Sequence, residues 1–204
     1  MSLQAFWRDQ RAASAAEFAL VVPVLLIFLL GTIDVGRFIW NVNEAEKATQ
    51  IGTRWAVATD MIPSGLYTYS FATSGGIPQG TLVPQASFPG VECKAPSGTP
   101  SCTCKQGGQC GFGTTANPAA FNSLVSRMNE IYGGIGPANV QVDYDWSGLG
   151  YAGDPNGSDV DPLVTVRVTN LNFRPIFLGS TFDFGLPDLS YTLTMEDGQG
   201  NFSN

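Results

Sequence analysis

Histidine is absent from this chain of 204 residues. That removes Ser-His and Cys-His nucleophile pairs, an imidazole general base and any His-ligated metal. Positive charge is scarce as well, with ten Lys and Arg against 17 Asp and Glu, a net charge of −7 and a pI near 4.4. Such a balance argues against nucleic acid, whose binding calls for a basic face. Charged residues of either sign make up only 13%, against a usual share of about 25%. The 24 Gly and 13 Pro make the chain turn-rich without reaching a low-complexity composition. No nucleophile–base pair stands out, so the sequence reads as a non-enzyme.

What is present is unevenly placed. Residues 18–33 read FALVVPVLLIFLLGTI, with no charge, and Asp34 and Arg37 follow. Sixteen residues cover roughly 24 Å of helix, a little less than the roughly 30 Å hydrocarbon core. Val35, Phe38, Ile39 and Trp40 extend the apolar length to residue 40, and Asp34 with Arg37 at i,i+3 can pair at the membrane boundary. A single span is expected; the bland alternative is a buried core helix. Nothing after the run offers a small-x-small cleavage pattern or a lipoprotein cysteine, so the span is expected to stay attached. Arg8 and Arg11 on its N-terminal side put that end in the cytoplasm by the positive-inside tendency.

The helical pattern continues beyond the span. Phe38, Val42, Ala45, Ala48, Ile51, Trp55, Ala58 and Ile62 recur at steps of three or four, which predicts one helix of about 45 residues ending before Pro63, the alternative being a break between Gly31 and Gly36.

Arg11-Ala12-Ala13-Ser14-Ala15-Ala16-Glu17-Phe18-Ala19-Leu20, the apolar run, Gly31-Thr32-Ile33-Asp34-Val35-Gly36-Arg37 and the later Ala48-Thr49-Gln50-Ile51-Gly52-Thr53-Arg54 together form a recognisable series. The series resembles the N-terminus of TadE-like proteins, minor pilins or pseudopilins of tight-adherence (Flp, type IVc) pilus systems. The resemblance implies a prepilin peptidase cut between Ala12 and Ala13, with Ala12 standing where Gly normally precedes the cut. It also implies that Glu17 and Phe18, fifth and sixth in the cut chain, set assembly register. A carboxylate abutting a lipid-spanning run needs a partner or water, and the new amine of Ala13 on a neighbouring subunit would be such a partner. The bland alternative leaves Glu17 at the headgroups facing water.

The four cysteines, Cys93, Cys102, Cys104 and Cys110, lie within a stretch rich in Gly, Pro, Ser and Thr. An even, clustered count in an exported segment reads as two disulfides. Of the three connectivities, the one joining Cys102 to Cys104 is disfavoured by strain, and zinc is the rival, at a spacing unlike paired C-x2-C. Beyond residue 115 Asn117 predicts an N-cap and Pro118 a first turn, followed by an apolar face of Phe121, Leu124, Val125, Met128, Ile131 and Tyr132 up to Gly133-Gly134. Three alternating strands follow, through Val140 to Trp146, Val164 to Thr169 and Leu189 to Met195. Between the last two, Phe173, Ile176, Phe177, Leu178, Phe182 and Phe184 either cover an open end of the sheet or form a contact patch for another pilus subunit.

Asp143, Asp145, Asp154, Asp159 and Asp161 fall close together, and Asp154, Asn156, Asp159 and Asp161 offer oxygens for a loop calcium ion. It is not an EF-hand, because the sixth loop position is Asp159 rather than Gly and the twelfth is Thr165 rather than Glu. The bland reading takes these residues as turn formers.

The expected organisation is a cytoplasmic leader over 1–12, a long helix over 13–60 with its span at 18–33 or to 40, a Gly/Pro-rich loop with four Cys over 61–115, and an α+β head over 116–204. In that head one amphipathic helix packs on an antiparallel sheet. The resemblance implies a single-pass protein of the bacterial inner membrane, its N-terminus cytoplasmic and its head periplasmic, or incorporated into an extracellular pilus. Its partners would be other pilus subunits, the assembly machinery, the prepilin peptidase and the membrane. The alternative is a permanently anchored binding module, a calcium-dependent adhesin.

Overall fold

A computed structural model describes residues 13–105, 108, 110–177 and 183–199, without the side chains of Ala13 and Ser14. Helix α1, Ala13–Ala58, runs unbroken through Pro23, Gly31 and Gly36, as the continuous pattern predicts and without the alternative break. Contacts divide the chain into two compact units, Met1–Asn41 with Phe173–Phe184, and Val42–Asn172 with Gly185–Asn204.

The second unit is built on a five-stranded antiparallel sheet. Its strands are β1 (Val91–Lys94), β2 (Ser101–Cys104), β3 (Val140–Asp145), β4 (Leu163–Val168) and, after two short strands β5 (Asn172–Phe173) and β6 (Phe184–Gly185) that pair with each other, β7 (Leu189–Thr194). The order across the sheet is β2-β1-β3-β4-β7. Alternation in β3, β4 and β7 is read out in the register, since Val140, Val142 and Tyr144 face Val168, Val166 and Val164, and these face Leu189, Tyr191 and Leu193. Side chains of successive residues point to opposite faces of a strand, so these rows make one apolar face. Cys102, Cys93 and Val142 continue it across the other half. The opposite face carries Thr103, Glu92, Asp143, Thr165 and Thr192 in one row. The two strands from the Cys-bearing stretch are four residues each, too short for alternation to announce them.

Helix α2 is Pro118–Asn129, capped as its sequence foretells: the Asn117 side chain accepts from the backbone N–H of Ala119 and Ala120. Phe121, Leu124, Val125 and Met128 are buried, whereas Ile131 and Tyr132 lie past the helix end, which comes before Gly133. Met128 sits over Gly52 of α1, close enough that a Cβ there would be 2.6 Å from the Met128 side chain. The amphipathic helix thus packs on the long helix at this point. The C-terminal part of α1 in turn touches the sheet at Thr53, whose hydroxyl lies 3.3 Å from the Tyr191 carbonyl oxygen.

The buried side of α1 is not quite the stripe that periodicity suggests. Ala45 and Ala48 are fully buried as expected, but they continue into Thr49, Gly52, Thr53, Ala56 and Val57, while Ile51, Trp55 and Ala58 are half-exposed. Small residues win these places because close approach of a helix to its neighbours leaves little volume. The two threonines tolerate burial because each hydroxyl donates to the carbonyl four residues back, Thr49 to Ala45 at 2.8 Å and Thr53 to Thr49 at 2.9 Å. The end of the helix is held by a strand-end segment, as Glu196 and Asp197 donate their backbone N–H to the Val57 carbonyl.

Candidate functional site

The first unit centres on the apolar half of α1. Six consecutive residues, Val24 through Leu29, are each about half or more exposed, as are Phe18, Leu20, Val21 and Ile33. The helix is long and apolar enough to cross a membrane, and its most apolar window is only 6% buried. A core helix of a soluble domain would bury this surface; one exposed on every side is suited to lipid. Ala12 lies outside the described residues, Ala13 opens the helix, and Glu17 and Phe18 follow one turn later, both exposed.

At the other end of the run the chain builds a local clamp. Asp34 is 1% exposed, and its carboxylate accepts the backbone N–H of Ile176 at 2.9 Å and of Phe177 at 2.7 Å. Arg37 completes the expected i,i+3 pair at 3.4 Å. Beside it Phe173 is buried edge-on against Phe38, centroids 5.5 Å apart, and the Arg37 guanidinium lies 5.3 Å from the Phe173 ring. The aromatic stretch is therefore drawn to the long helix through Phe173 and the backbone of Ile176 and Phe177, while the Ile176 and Phe177 side chains stay exposed. Leu178 and Phe182 lie outside the described residues. The clamp escapes sequence reasoning because its halves are 142 and 143 residues apart. Its one local signal is an acid placed directly after the charge-free run.

In the second unit the five aspartates of the acidic stretch separate into two groups. Asp159 is buried, and its carboxylate accepts the backbone N–H of Phe71 at 2.6 Å and of Asp154 at 3.0 Å; the Asp154 carboxylate in turn accepts from Asn156 at 2.8 Å. Gly150, at φ +84°, lets the chain pass so close that a Cβ would be 2.6 Å from the Asp159 carbonyl oxygen. Burial, with repulsion from Asp154, pushes the Asp161 carboxyl up. Asp159 is thus engaged in fastening the Phe71 loop, and among the described residues no three His, Cys, Asp or Glu side chains are grouped to hold a metal ion.

Asp143 belongs to the other group. It is buried on the polar face of β3, with Arg167 Nε at 2.7 Å, Lys105 Nζ at 3.0 Å and Gln141 at 3.2 Å, while Lys105 also reaches both oxygens of Asp145. Burial opposes its charge, but the hydrogen bonds from Arg167 and Lys105 and the Lys105 charge outweigh that and hold its carboxyl below the usual range. In the sequence Asp143 belongs only to the wider acidic cluster, not to the four calcium candidates; its position on the polar side of an alternating strand is the signal for its partners.

The disulfides join Cys93 to Cys102 and Cys104 to Cys110. Cys93 and Cys102 are directly opposed on β1 and β2, so their bridge staples the two strands face to face. The second links Cys104, at the end of β2, to Cys110, and beside it Lys105 donates its backbone N–H to the Gly90 carbonyl at 2.9 Å.

Residues 12–54 match the family model of TadE-like proteins. No curated protein and no solved structure matches the chain significantly. The TadE-like segment contains Glu17, Phe18, Asp34 and the Gly52 contact, and stops within α1. The sheet, both disulfides, the Asp143 network and the Phe173 side of the clamp all lie outside it.

Proposed function

We propose that the protein is a structural minor pilin, or pseudopilin, that takes part in assembling a bacterial tight-adherence pilus. The TadE-like match suggests a role in such systems, and the observation that carries the finer reading is where that match falls. It covers the helix that opens at Ala13, whose N-terminal half carries apolar residues exposed on every side and exposed Glu17 and Phe18 in its first turns. In this reading a prepilin peptidase cuts between Ala12 and Ala13, in the inner membrane, with the N-terminus cytoplasmic and the head periplasmic. Residues 1–12 are the leader, and the chain from Ala13 joins other pilus subunits through its helix. Glu17 then pairs with the freed amine of Ala13 on a neighbour, a charge pair that sets one helix against the next. The role is structural and needs no catalytic group; the chain has no histidine with which to build the common nucleophile–base pairs.

The test is the mass of the N-terminal peptide from membranes of the native host, with and without the prepilin peptidase. A start at Ala13 that disappears in the peptidase-deficient strain is the expected result. An N-terminus retaining Arg8 and Arg11 in both strains would sink the reading and leave a fixed anchor bearing a binding module. In the same host Glu17→Ala is expected to lower recovery in the assembled pilus by roughly tenfold or more, as loss of one partner of a desolvated charge pair does. Protease resistance of the head should be unchanged; full incorporation of this variant would remove Glu17 from assembly.

A further inference from the structure

We propose that the stretch from Phe173 to Phe177 is a lipid-facing collar that hides Asp34 and extends the hydrophobic span of α1 from residues 18–33 to 18–40. The inference rests on the membrane reading of the helix. The sixteen-residue run covers roughly 24 Å, short of a hydrocarbon core of roughly 30 Å, whereas the 23 residues of 18–40 cover roughly 34 Å. Asp34 and Arg37 are the charges that break the longer run, and Asp34 is the acidic one. An acidic side chain turned to lipid is strongly disfavoured unless it finds partners inside the protein.

Those partners are in place. The carboxylate is buried beneath the collar and accepts from Ile176 and Phe177 through separate oxygens, with Arg37 beside it. The same bonds answer the collar's own difficulty. Backbone outside helices and closed barrels survives at membrane depth only where its N–H groups are satisfied within the protein, and the two successive donors at 176 and 177 both end on Asp34. Phe173 anchors the stretch on Phe38, and the Arg37 guanidinium beside its ring remains partly exposed, which suits a cation reaching toward the headgroups.

With Asp34 and the backbone donors of Ile176 and Phe177 turned inward, the collar presents Ile176 and Phe177 outward, 61% and 47% exposed, alongside the exposed Ile33, Val35, Ile39 and Trp40 of the helix. Its one charged side chain, Arg174, is 75% exposed, pairs with Asp183 at 2.9 Å and, like Arg37, suits a cation reaching toward the headgroups. Trp40 is the residue type that settles at the membrane–water interface. Lipid is favoured over a protein partner as the occupant because this apolar surface continues that of Val24 through Leu29, exposed around the whole helix. A second copy would cover one stripe; a bilayer covers every side.

The experiment uses the full chain in vesicles of phosphatidylethanolamine and phosphatidylglycerol, with spin labels on Phe177→Cys, Leu25→Cys and Asn122→Cys in turn. Collisions with oxygen, enriched in lipid, are compared with those of a water-soluble nickel chelate. The Phe177 label is expected to favour oxygen as the Leu25 label does, and the Asn122 label to favour nickel. Adding Asp34→Ala should shift the Phe177 ratio to the Asn122 side and leave Leu25 unchanged. A nickel-favouring Phe177 beside an oxygen-favouring Leu25 would overturn the collar alone. Shielding of Phe177 from both reagents would mean that protein covers it, and overturns the lipid assignment. If Leu25 itself favours nickel, the membrane reading fails together with the collar. A Phe177 label that keeps its lipid ratio in Asp34→Ala would overturn the role given to Asp34.

Discussion

Reducing both disulfides is expected to lower the melting temperature of the head by about 10–20 °C. The bridges close short loops, with sequence separations of 9 and 6. Loop-closure entropy assigns each about 2–3 kcal/mol, so together they supply about 5 kcal/mol. A folded domain holds only about 5–15 kcal/mol in total, and in one of this size each kcal/mol moves the midpoint by about 2–4 °C. The effect should be local in origin. Cys102 lies on the edge strand β2, which has only β1 as neighbour, and removing its bridge leaves eight residues of hairpin to hold that edge by backbone pairing. Melting of the purified protein with and without reductant, followed by the Cys93→Ser/Cys102→Ser and Cys104→Ser/Cys110→Ser pairs, separates the two contributions. A midpoint unchanged by full reduction would show that the sheet does not depend on either bridge.

Asp143→Ala should cost about 2–3 kcal/mol. Removing one partner of a buried ion pair typically costs about 3–5 kcal/mol, but two features reduce that here. The Arg167 side chain is 47% exposed and can return to water, and Lys105 keeps both oxygens of Asp145. The pH dependence has a definite sign. The Asp143 carboxyl is held below its ordinary value in the fold, so its stabilisation is fully present above the unfolded value of about 3.9 and is lost as pH falls through the folded one. Urea midpoints of wild type and Asp143→Ala should therefore differ at neutral pH and converge in strong acid. A gap that persists at the lowest pH would assign the loss to packing rather than charge.

How much of this was legible beforehand depends on the range of the interactions. Asn117 and Pro118 announce α2 because a cap is settled within three residues, and the Val140, Val164 and Leu189 strands announce themselves by alternation that the register then matches. β1 and β2 were hidden in a Gly- and Pro-rich stretch because four residues carry too little pattern. The acidic stretch illustrates the same limit from the other side. Proximity in sequence grouped Asp143 with Asp154 and Asp159, but a strand sends Asp143 toward Arg167 and Lys105, and a turn commits Asp159 to the Phe71 loop.

The sequence by itself determined the long apolar helix, the cap, the alternation of the central strands and the TadE-like character of residues 12–54, since each is written in neighbouring residues at helical or strand spacing. Only the tertiary structure decided which face of α1 is buried, how the cysteines pair and what becomes of Asp34. These depend on contacts that close loops of different lengths, from the 6 and 9 residues of the two disulfides to the 142 that bring Ile176 to a buried carboxylate. Composition and periodicity carry no information about which distant backbone donor will satisfy a charge. Burial makes that choice, because a carboxylate removed from water must find its hydrogen bonds within the fold.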